Sequence, residues 1–414
     1  MGHDEILSSP AIGTSLSSLI RPCGDRTRAA TPPDPTNGPP FGLTFSGGGF
    51  RATLAALGVI RLLADAGLLA QVRYVSSVSG GSVANGIMAK AWPEVRKAGY
   101  TSAAVDAHII DPIVDKVSSR SLKHKLVRNI WRIIGSKNRT ELLADAFDDW
   151  WFDGLDLEQL DPEVRWIINA ANVRTGVRFG FERDVLGDYV IGLAPTSGTG
   201  VRLATAAAAS AAVPGAFARL ELPDDIPFPC AAERGRPSLL DGGVYDNTGL
   251  EALDSNRYRD VFIVTLNAGG VLTVGSGGSL PIVGDLQRSN SLLYRQSTAL
   301  RTRWMVERFE RYRAAVTAGE EPEPDARRGV LFALASNVPS DDDGAFDAFA
   351  ARHPEHRDWD GADLAFVPTV FDQLDRKLCR ALVYRGWWLT GAALCRYHAD
   401  DMPLPDLGDG PPLD

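Results

Sequence analysis

Cysteine is scarce in this 414-residue chain: Cys23, Cys230, Cys379 and Cys395 are scattered, with no C-x-x-C pair and no regular framework. That scatter argues for free thiols in a reducing compartment, and against a disulfide scaffold or a zinc site. Basic charge is also short, with 43 Lys and Arg against 52 Asp and Glu and a net charge of -9. Wholesale nucleic-acid binding needs a basic footprint, so the balance argues against that class while leaving room for a local basic patch. No apolar run approaches the ~18 residues of a membrane-spanning helix. The Met1-Gly2-His3-Asp4-Glu5 start lacks the basic region of a secretory signal, and Ile6 breaks the myristoylation pattern. These absences predict a cytoplasmic protein. No internal repeat is present. Hydrophobic content of 44% with 23% charge is ordinary for a soluble globular chain, and enough to bury a core.

What is present concentrates in Phe41 to Met88. Phe41-Gly42-Leu43-Thr44-Phe45 reads as a strand that ends at Ser46-Gly47-Gly48-Gly49. A helix is predicted over Thr53–Ala66, closed by Gly67 as a left-handed cap. A second strand, Val72 to Val78, runs into Ser79-Gly80-Gly81-Ser82, and a small-residue helix follows until Trp92-Pro93. Upstream, residues 1–40 read as a flexible tail, since Ala29 to Pro40 holds five prolines that favour an extended spacer. Downstream, 111–153 reads as a helical insertion, with Leu122, Leu126, Ile130, Ile133 and Ile134 at helical spacing. Between Lys116 and Arg139 every charged residue is basic, and Trp131 sits among them. Two readings apply: a surface that lies on anionic lipid, or a helix covering the core with its basic side wet.

Further along, Val164 to Asn172 and Val177 to Phe181 are predicted as neighbouring strands, and Leu203 to Phe217 as an alanine helix ended by proline. Leu239-Leu240-Asp241-Gly242-Gly243 is another strand end entering a glycine turn. Asp260 to Ala268 is nearly continuous in apolar residues, as parallel strands covered on both faces tend to be. Asp285–Ala318 reads as one long charged helix, Gly319–Arg328 as an acidic loop, Thr369–Tyr397 as a final helix or helical pair, and 401–414 as a frayed tail. The expected fold is a three-layer α/β/α domain over residues 41–400 with a mainly parallel central sheet.

Gly47-Gly48-Gly49-Phe50-Arg51-Ala52 fits the G-x-G-x-x-A dinucleotide fingerprint, which would make the protein an oxidoreductase. That reading also requires an acidic residue at the end of the second strand, to hold the ribose. Ser76-Ser77-Val78-Ser79 offers none there. The glycine amides at a helix N-terminus remain a pocket for any oxyanion. Ser77-Val78-Ser79-Gly80-Gly81 nearly fits the G-x-S-x-G nucleophile elbow, in the strand-to-helix context that the elbow needs. Asp241-Gly242-Gly243 alone is an ordinary turn. All three features fall at strand ends, where open α/β sheets place their sites.

This conjunction resembles the patatin-like phospholipase family. The likeness runs through Ser46-Gly47-Gly48-Gly49-Phe50-Arg51, Ser77 to Ser82, Ile168-Asn169-Ala170, Ala209-Ser210-Ala211-Ala212-Val213-Pro214, Asp241-Gly242-Gly243 and Asp246-Asn247. It covers roughly residues 41 to 270, and departs from the family at Ser77, where glycine is usual. The resemblance implies a Ser79–Asp241 dyad with an oxyanion hole at Gly47, Gly48 and Gly49, and Arg51 as a nearby charge or a loop anchor. Ser77, Gly80, Gly81, Gly242 and Gly243 would shape the two turns. It implies hydrolysis of phospholipid or other acyl-ester lipids, with no metal and no cofactor. A Ser-Asp-His triad through His353, His356 or His398 is the alternative arrangement, and a non-catalytic lipid-binding or storage protein on the same fold is the alternative function. Peripheral contact with anionic membrane would run through Lys116–Arg139.

Overall fold

The computed structural model describes residues 39–122, 138–270, 281–356 and 358–413, without the side chains of 281–287 and 290. The proline-rich leader up to residue 38 lies outside the described residues, as do 123–137 of the basic segment.

The chain begins with β1 (Phe41–Phe45), α1 (Gly49–Asp65), β2 (Val72–Val78) and α2 (Gly80–Lys97). After helices Asp111–Ser119 and Arg139–Phe147 come β3 (Arg165–Asn172), β4 (Val177–Phe181), β5 (Val185–Asp188) and β6 (Gly192–Pro195). Then follow α3 (Leu203–Ser210), β7 (Leu220–Glu221), β8 (Ser238–Asp241), β9 (Phe262–Asn267) and α4 (Pro281–Ala318). β10 (Arg328–Ala333) and α5 (Arg376–His398) complete the labelled elements.

The strands form one sheet in the order β10-β9-β1-β2-β3-β4-β5-β6, with β8 on β3 and β7 on β8. From β10 to β3 every pairing is parallel, and beyond β3 the sheet continues antiparallel. Both faces of the parallel part are covered, which explains strands that read as continuous apolar runs. On β9, Phe262 and Val264 face the larger core with α1, α2 and α5, while Ile263 faces a second cluster with Met305 and Phe309 of α4. The period of two splits each strand between two helical layers. These are the three layers of the expected α/β/α fold. α1 and α5 cross closely because Gly58 and Gly386 carry no side chain at the contact. A Cβ on either would overlap the other helix's backbone.

Several local expectations shift. α1 starts four residues early, at Gly49, so the glycine loop itself opens the helix. Pro93 does not end α2, which runs on to Lys97. Its last turns are held from outside, by buried Trp92 donating to Glu163 at 2.9 Å and Arg96 pairing with Asp161 at 2.8 Å. That tertiary hold outweighs proline's missing N–H. The alanine helix ends at Ser210, not Phe217, and β10 was not foreseen. In the C-terminal stretch read as frayed, Met402 and Leu407 are buried in the core. Cys379 and Cys395 are free thiols, but Cys230 is disulfide-bonded to a partner outside the described residues, so the expectation of four free thiols fails there. Among the described residues, no helix is long and apolar enough to cross a membrane.

Candidate active site

Strand register brings Ser79 and Asp241 together. Ala170 of β3 pairs on one side with Phe179 of β4 and on the other with Asp241 of β8. β8 therefore occupies the same edge of β3 as β2, whose last residue, Val78, pairs with Asn169. β2 and β8 run toward each other along that edge and stop at adjacent positions. Residues 162 apart in sequence thus meet because two opposed strands share one neighbour, and the Ser79 side chain comes close enough to the Asp241 carboxylate to pull its pKa down.

Ser79 sits at the N-cap of α2 with φ 52 and ψ -119, a conformation that side-chain-bearing residues rarely adopt. The strain is held by a buried polar network. The Ser79 N–H donates to Ser210 Oγ at 2.9 Å, and that hydroxyl donates to the Asn169 carbonyl at 2.6 Å. Ser82 Oγ lies 2.9 Å from Ser210 Oγ and 3.0 Å from Ser77 Oγ, which also accepts from Asn85 Nδ2 at 2.8 Å. Ser77, where the family pattern has glycine, is thus fully buried and hydrogen-bonded. Gly80 and Gly81 let the elbow touch the glycine loop. A Cβ at Gly81 would lie 2.5 Å from the Phe45 carbonyl oxygen, and one at Gly80 would overlap that of Gly49.

Asp241 is 6% exposed, and burial raises its carboxyl from 3.8 to about 6, against the opposing pull of the Gly243 N–H hydrogen bond and the neighbouring Ser79 side chain. The Gly243 bond is 2.7 Å, closing the Asp241-Gly242-Gly243 turn. Gly242 backs onto the Asn169 carbonyl, where a Cβ would overlap. A carboxyl tuned in this way is ionised at neutral pH yet more basic than a surface aspartate.

The glycine loop divides its donors. The Gly47 N–H is committed to Asn247, at 3.1 Å to both the backbone carbonyl and Oδ1. The amides of Gly48 and Gly49 have no hydrogen-bond partner among the described residues. Both have positive φ, 153 and 59, and a Cβ at Gly48 would overlap the Ala268 carbonyl oxygen. Only glycine fits such a position. Of the three donors expected for an oxyanion, two are open and the third is structural.

Arg51 is buried, and its guanidinium is spent on the carbonyls that pack beside the loop. Nε and Nη2 donate to the Ala268 carbonyl at 3.1 and 2.8 Å, Nη1 to the Ala365 carbonyl at 3.0 Å and to that of Val367, and Nη2 to Thr369 Oγ1 at 3.1 Å. All five N–H donors are consumed. Between the two roles expected of it, this geometry is that of the loop anchor. Burial lowers its pKa to about 10, so it stays charged at neutral pH.

Two neighbours carry no local sequence signal. Tyr294 of α4 reaches the dyad: one point, where a Cβ on Gly243 would sit, is 2.9 Å from Asp241 Oδ1, 3.0 Å from Asn247 Oδ1 and 3.1 Å from Tyr294 Cε2. Burial and then the Asp241 charge push its phenol above the ordinary range. Asn247 entered the sequence reading only as part of the family pattern, not as the partner of Gly47. The histidines of the alternative triad lie elsewhere. His398 packs on Phe262 and bonds the Gly329 carbonyl at 3.2 Å, at the opposite ends of β9 and β10 from the glycine loop. His353 packs on Trp387, and His356 on Trp359.

Comparisons with known proteins follow this geometry. A search of curated proteins finds no match. Among solved structures, human GIVD cytosolic phospholipase A2 resembles the chain with a TM-score of 0.47 and 11% identity, over 86% of this chain and 59% of that one. The same enzyme in complex with methyl gamma-linolenyl fluorophosphonate gives 0.46 and 12%, over 86% and 58%. VipD from Legionella pneumophila gives 0.33 and 14%, over 95% and 79%. This chain thus spans under two thirds of the human enzyme's length, and these are loose structural likenesses. The family profile described as patatin-like phospholipase matches residues 43–254, just over half of the chain, a span that includes Ser79 and Asp241. The chain belongs to the patatin-like phospholipase family.

Proposed function

We propose that the protein hydrolyses acyl esters of lipids, through an acyl-enzyme on Ser79 with Asp241 as base. The observation that carries this reading is the convergence of the strained Ser79 with the buried Asp241, whose pKa it lowers, beside two glycine amides with no partner among the described residues. The Ser79 hydroxyl passes its proton to the carboxylate as its oxygen bonds to the ester carbonyl carbon. The amides of Gly48 and Gly49 hold the resulting oxyanion. Collapse breaks the ester bond, and the leaving alcohol takes the proton from Asp241. Water then gives a proton to Asp241 while its oxygen attacks the acyl-enzyme; collapse breaks the bond to Ser79, Asp241 returns the proton to Ser79 Oγ, and the carboxylic acid departs. A carboxylate is a weak base for an alcohol, so positioning and oxyanion stabilisation carry most of the acceleration.

A lipid substrate is favoured by the rim. Val213, Val244, Leu293, Phe366 and Val370 are exposed, and each adjoins in sequence a residue that builds the site. Val213 follows Ala212, whose carbonyl accepts the Asp241 N–H at 3.0 Å, and Val370 accepts the Phe50 N–H at 3.0 Å. Exposed apolar groups flanking several site residues fit acyl chains or a lipid surface better than a polar ester. Peripheral contact with anionic membrane through Lys116–Arg139 belongs to the same proposal, and predicts vesicle binding that fades with salt. A cytoplasmic site of action also belongs to it. The Cys230 disulfide stands against that location, since such bonds persist in oxidising compartments.

The test is product analysis after incubating the protein with mixed phospholipids. Free fatty acid should appear with wild type and be absent with Ser79→Ala. Equal release by both would remove Ser79 from the reaction, and binding of lipid without release by wild type would leave the storage reading.

A further inference from the structure

A cavity of about 700 Å³ lies against α5, and no residue of the dyad or the glycine loop lines it. Lys377 and Tyr384, two turns apart on α5, form one wall. A second is the loop bearing His353, His356 and Trp359, after helix Ala345–Arg352, and a third is the C-terminal stretch from Asp406 to Leu413. The wall holds a buried imidazole with nothing to bond. His353 is 5% exposed, and its backbone groups bond Phe349 and Trp388, but neither ring nitrogen has a hydrogen-bond partner among the described residues. Native structures rarely leave such a group unpaired without reason. Burial, then the Arg352 charge, holds the ring below the ordinary histidine pKa, against the pull of Asp406 and Asp409. It is therefore neutral at neutral pH, with one nitrogen able to accept a proton donor.

The charges and rings around it point to a cation. Arg352 is paired with Asp406 at 3.1 Å, and Glu355 with Arg385 at 2.9 Å. Asp358, Asp409 and Lys377 have no ion-pair partner among the described residues, so the uncompensated charge on the wall is negative. The acids stand at two places: Asp406 and Asp409 act on His353, and Glu355 acts on Tyr384. Aromatic rings lie alongside, His356 being 5.2 Å from Trp359 and 6.5 Å from Tyr384 between centroids. Among the described residues no Lys or Arg covers the face of Trp359 or Tyr384, whereas Trp304, Trp388 and Tyr397 each carry an arginine. We propose that the cavity binds an aliphatic di- or polyamine, one ammonium at His353 and Asp409, another at Asp358 and Glu355, and the methylenes between on Trp359 and Tyr384. An ammonium N–H is the donor that His353 lacks, and a cation is what free carboxylates and uncovered ring faces attract. An anion would meet more like charge than opposite charge. A quaternary ammonium would suit the rings but leave the imidazole unpaired. Among the described residues no three His, Cys, Asp or Glu side chains converge as metal ligands, so the cation is organic. The proposal shares no residue with the ester chemistry at Ser79 and stands apart from it.

Isothermal titration of the full chain with spermidine at fixed ionic strength is the test. One saturable site is expected, binding spermidine roughly 10-fold or more tighter than butylamine, which offers a single ammonium. Asp358 and Asp409 are exposed, so the double variant Asp358→Asn/Asp409→Asn keeps its fold, and it should weaken spermidine roughly 10-fold. Trp359→Ala should weaken it roughly 3-fold. Glu320→Gln/Glu321→Gln removes the same charge from an exposed loop outside the cavity and should leave the affinity unchanged. No saturation, or butylamine binding as tightly as spermidine, overturns the proposal. So does equal weakening in the two double variants, which would reduce the binding to a general attraction between an acidic protein and a polycation. Glycerophosphoethanolamine, which presents one ammonium as a lipid headgroup does, should bind no better than butylamine. Affinity matching that of spermidine would overturn the polyamine assignment in favour of a headgroup.

Discussion

Replacing Asp241 by asparagine should abolish hydrolysis and, at neutral pH, stabilise the fold. Burial raises the folded carboxyl from 3.8 to about 6, a difference of about 2 units. Between those values the folded state holds a proton that the unfolded chain has released, so stability falls as pH rises through that window. At 1.36 kcal/mol per unit, ionised Asp241 costs the native state about 3 kcal/mol by pH 8. Asparagine has the same shape, can accept the Gly243 N–H through its oxygen, and presents an NH2 to which the Ser79 oxygen can act as acceptor. It never ionises. Relative to wild type, Asp241→Asn should gain about 2 kcal/mol more at pH 8 than at pH 4.5, where most of the window is not yet crossed. With an unfolding entropy of about 2.1 cal/mol/K per residue, that is a shift in Tm of roughly 2 °C for a chain of this size. Thermal scans of both proteins at the two pH values measure it. A gap independent of pH, or one that narrows at pH 8, would refute the claim that burial perturbs this carboxyl. The same shift predicts that wild-type kcat/KM rises about tenfold per pH unit below about 6 and levels off above it.

Ser79→Gly should be about 1 kcal/mol more stable than Ser79→Ala by chemical denaturation, because glycine relieves the strain at φ 52 that alanine retains. An alanine variant of equal or greater stability would contradict that reading. Gly48→Ala should lower kcat/KM by at least ~10²-fold, since its Cβ overlaps the Ala268 carbonyl and must displace the loop's open amides. Activity near wild type would exclude Gly48 from the oxyanion hole.

Much of the scaffold was legible in the residues themselves. β1, β2 and β9 are short apolar runs because both sheet faces are covered, and their loops stand out because glycine crowds into them. The less legible features depend on contacts distant in sequence. Nothing near Pro93 announces that Glu163 and Asp161 will hold the helix past it. β10 begins with Arg328-Gly329 straight after an acidic loop, and becomes a strand through its pairing with β9. At the site, the serine and aspartate turns were visible, but not the head-on approach of β2 and β8 along one edge of β3. The glycine row suggested three equivalent donors, and only the position of Asn247 separates Gly47 from Gly48 and Gly49. Tyr294 comes from a helix whose local pattern is simply charged.

Labelling with an alkyl fluorophosphonate, followed by peptide mass mapping, tests the central claim most directly. The reagent phosphonylates a serine only where an adjacent base and oxyanion donors activate it. A single adduct on Ser79 in wild type, strongly reduced in Asp241→Asn, is the predicted result. No adduct, or one on another residue with Ser79 intact, would contradict it.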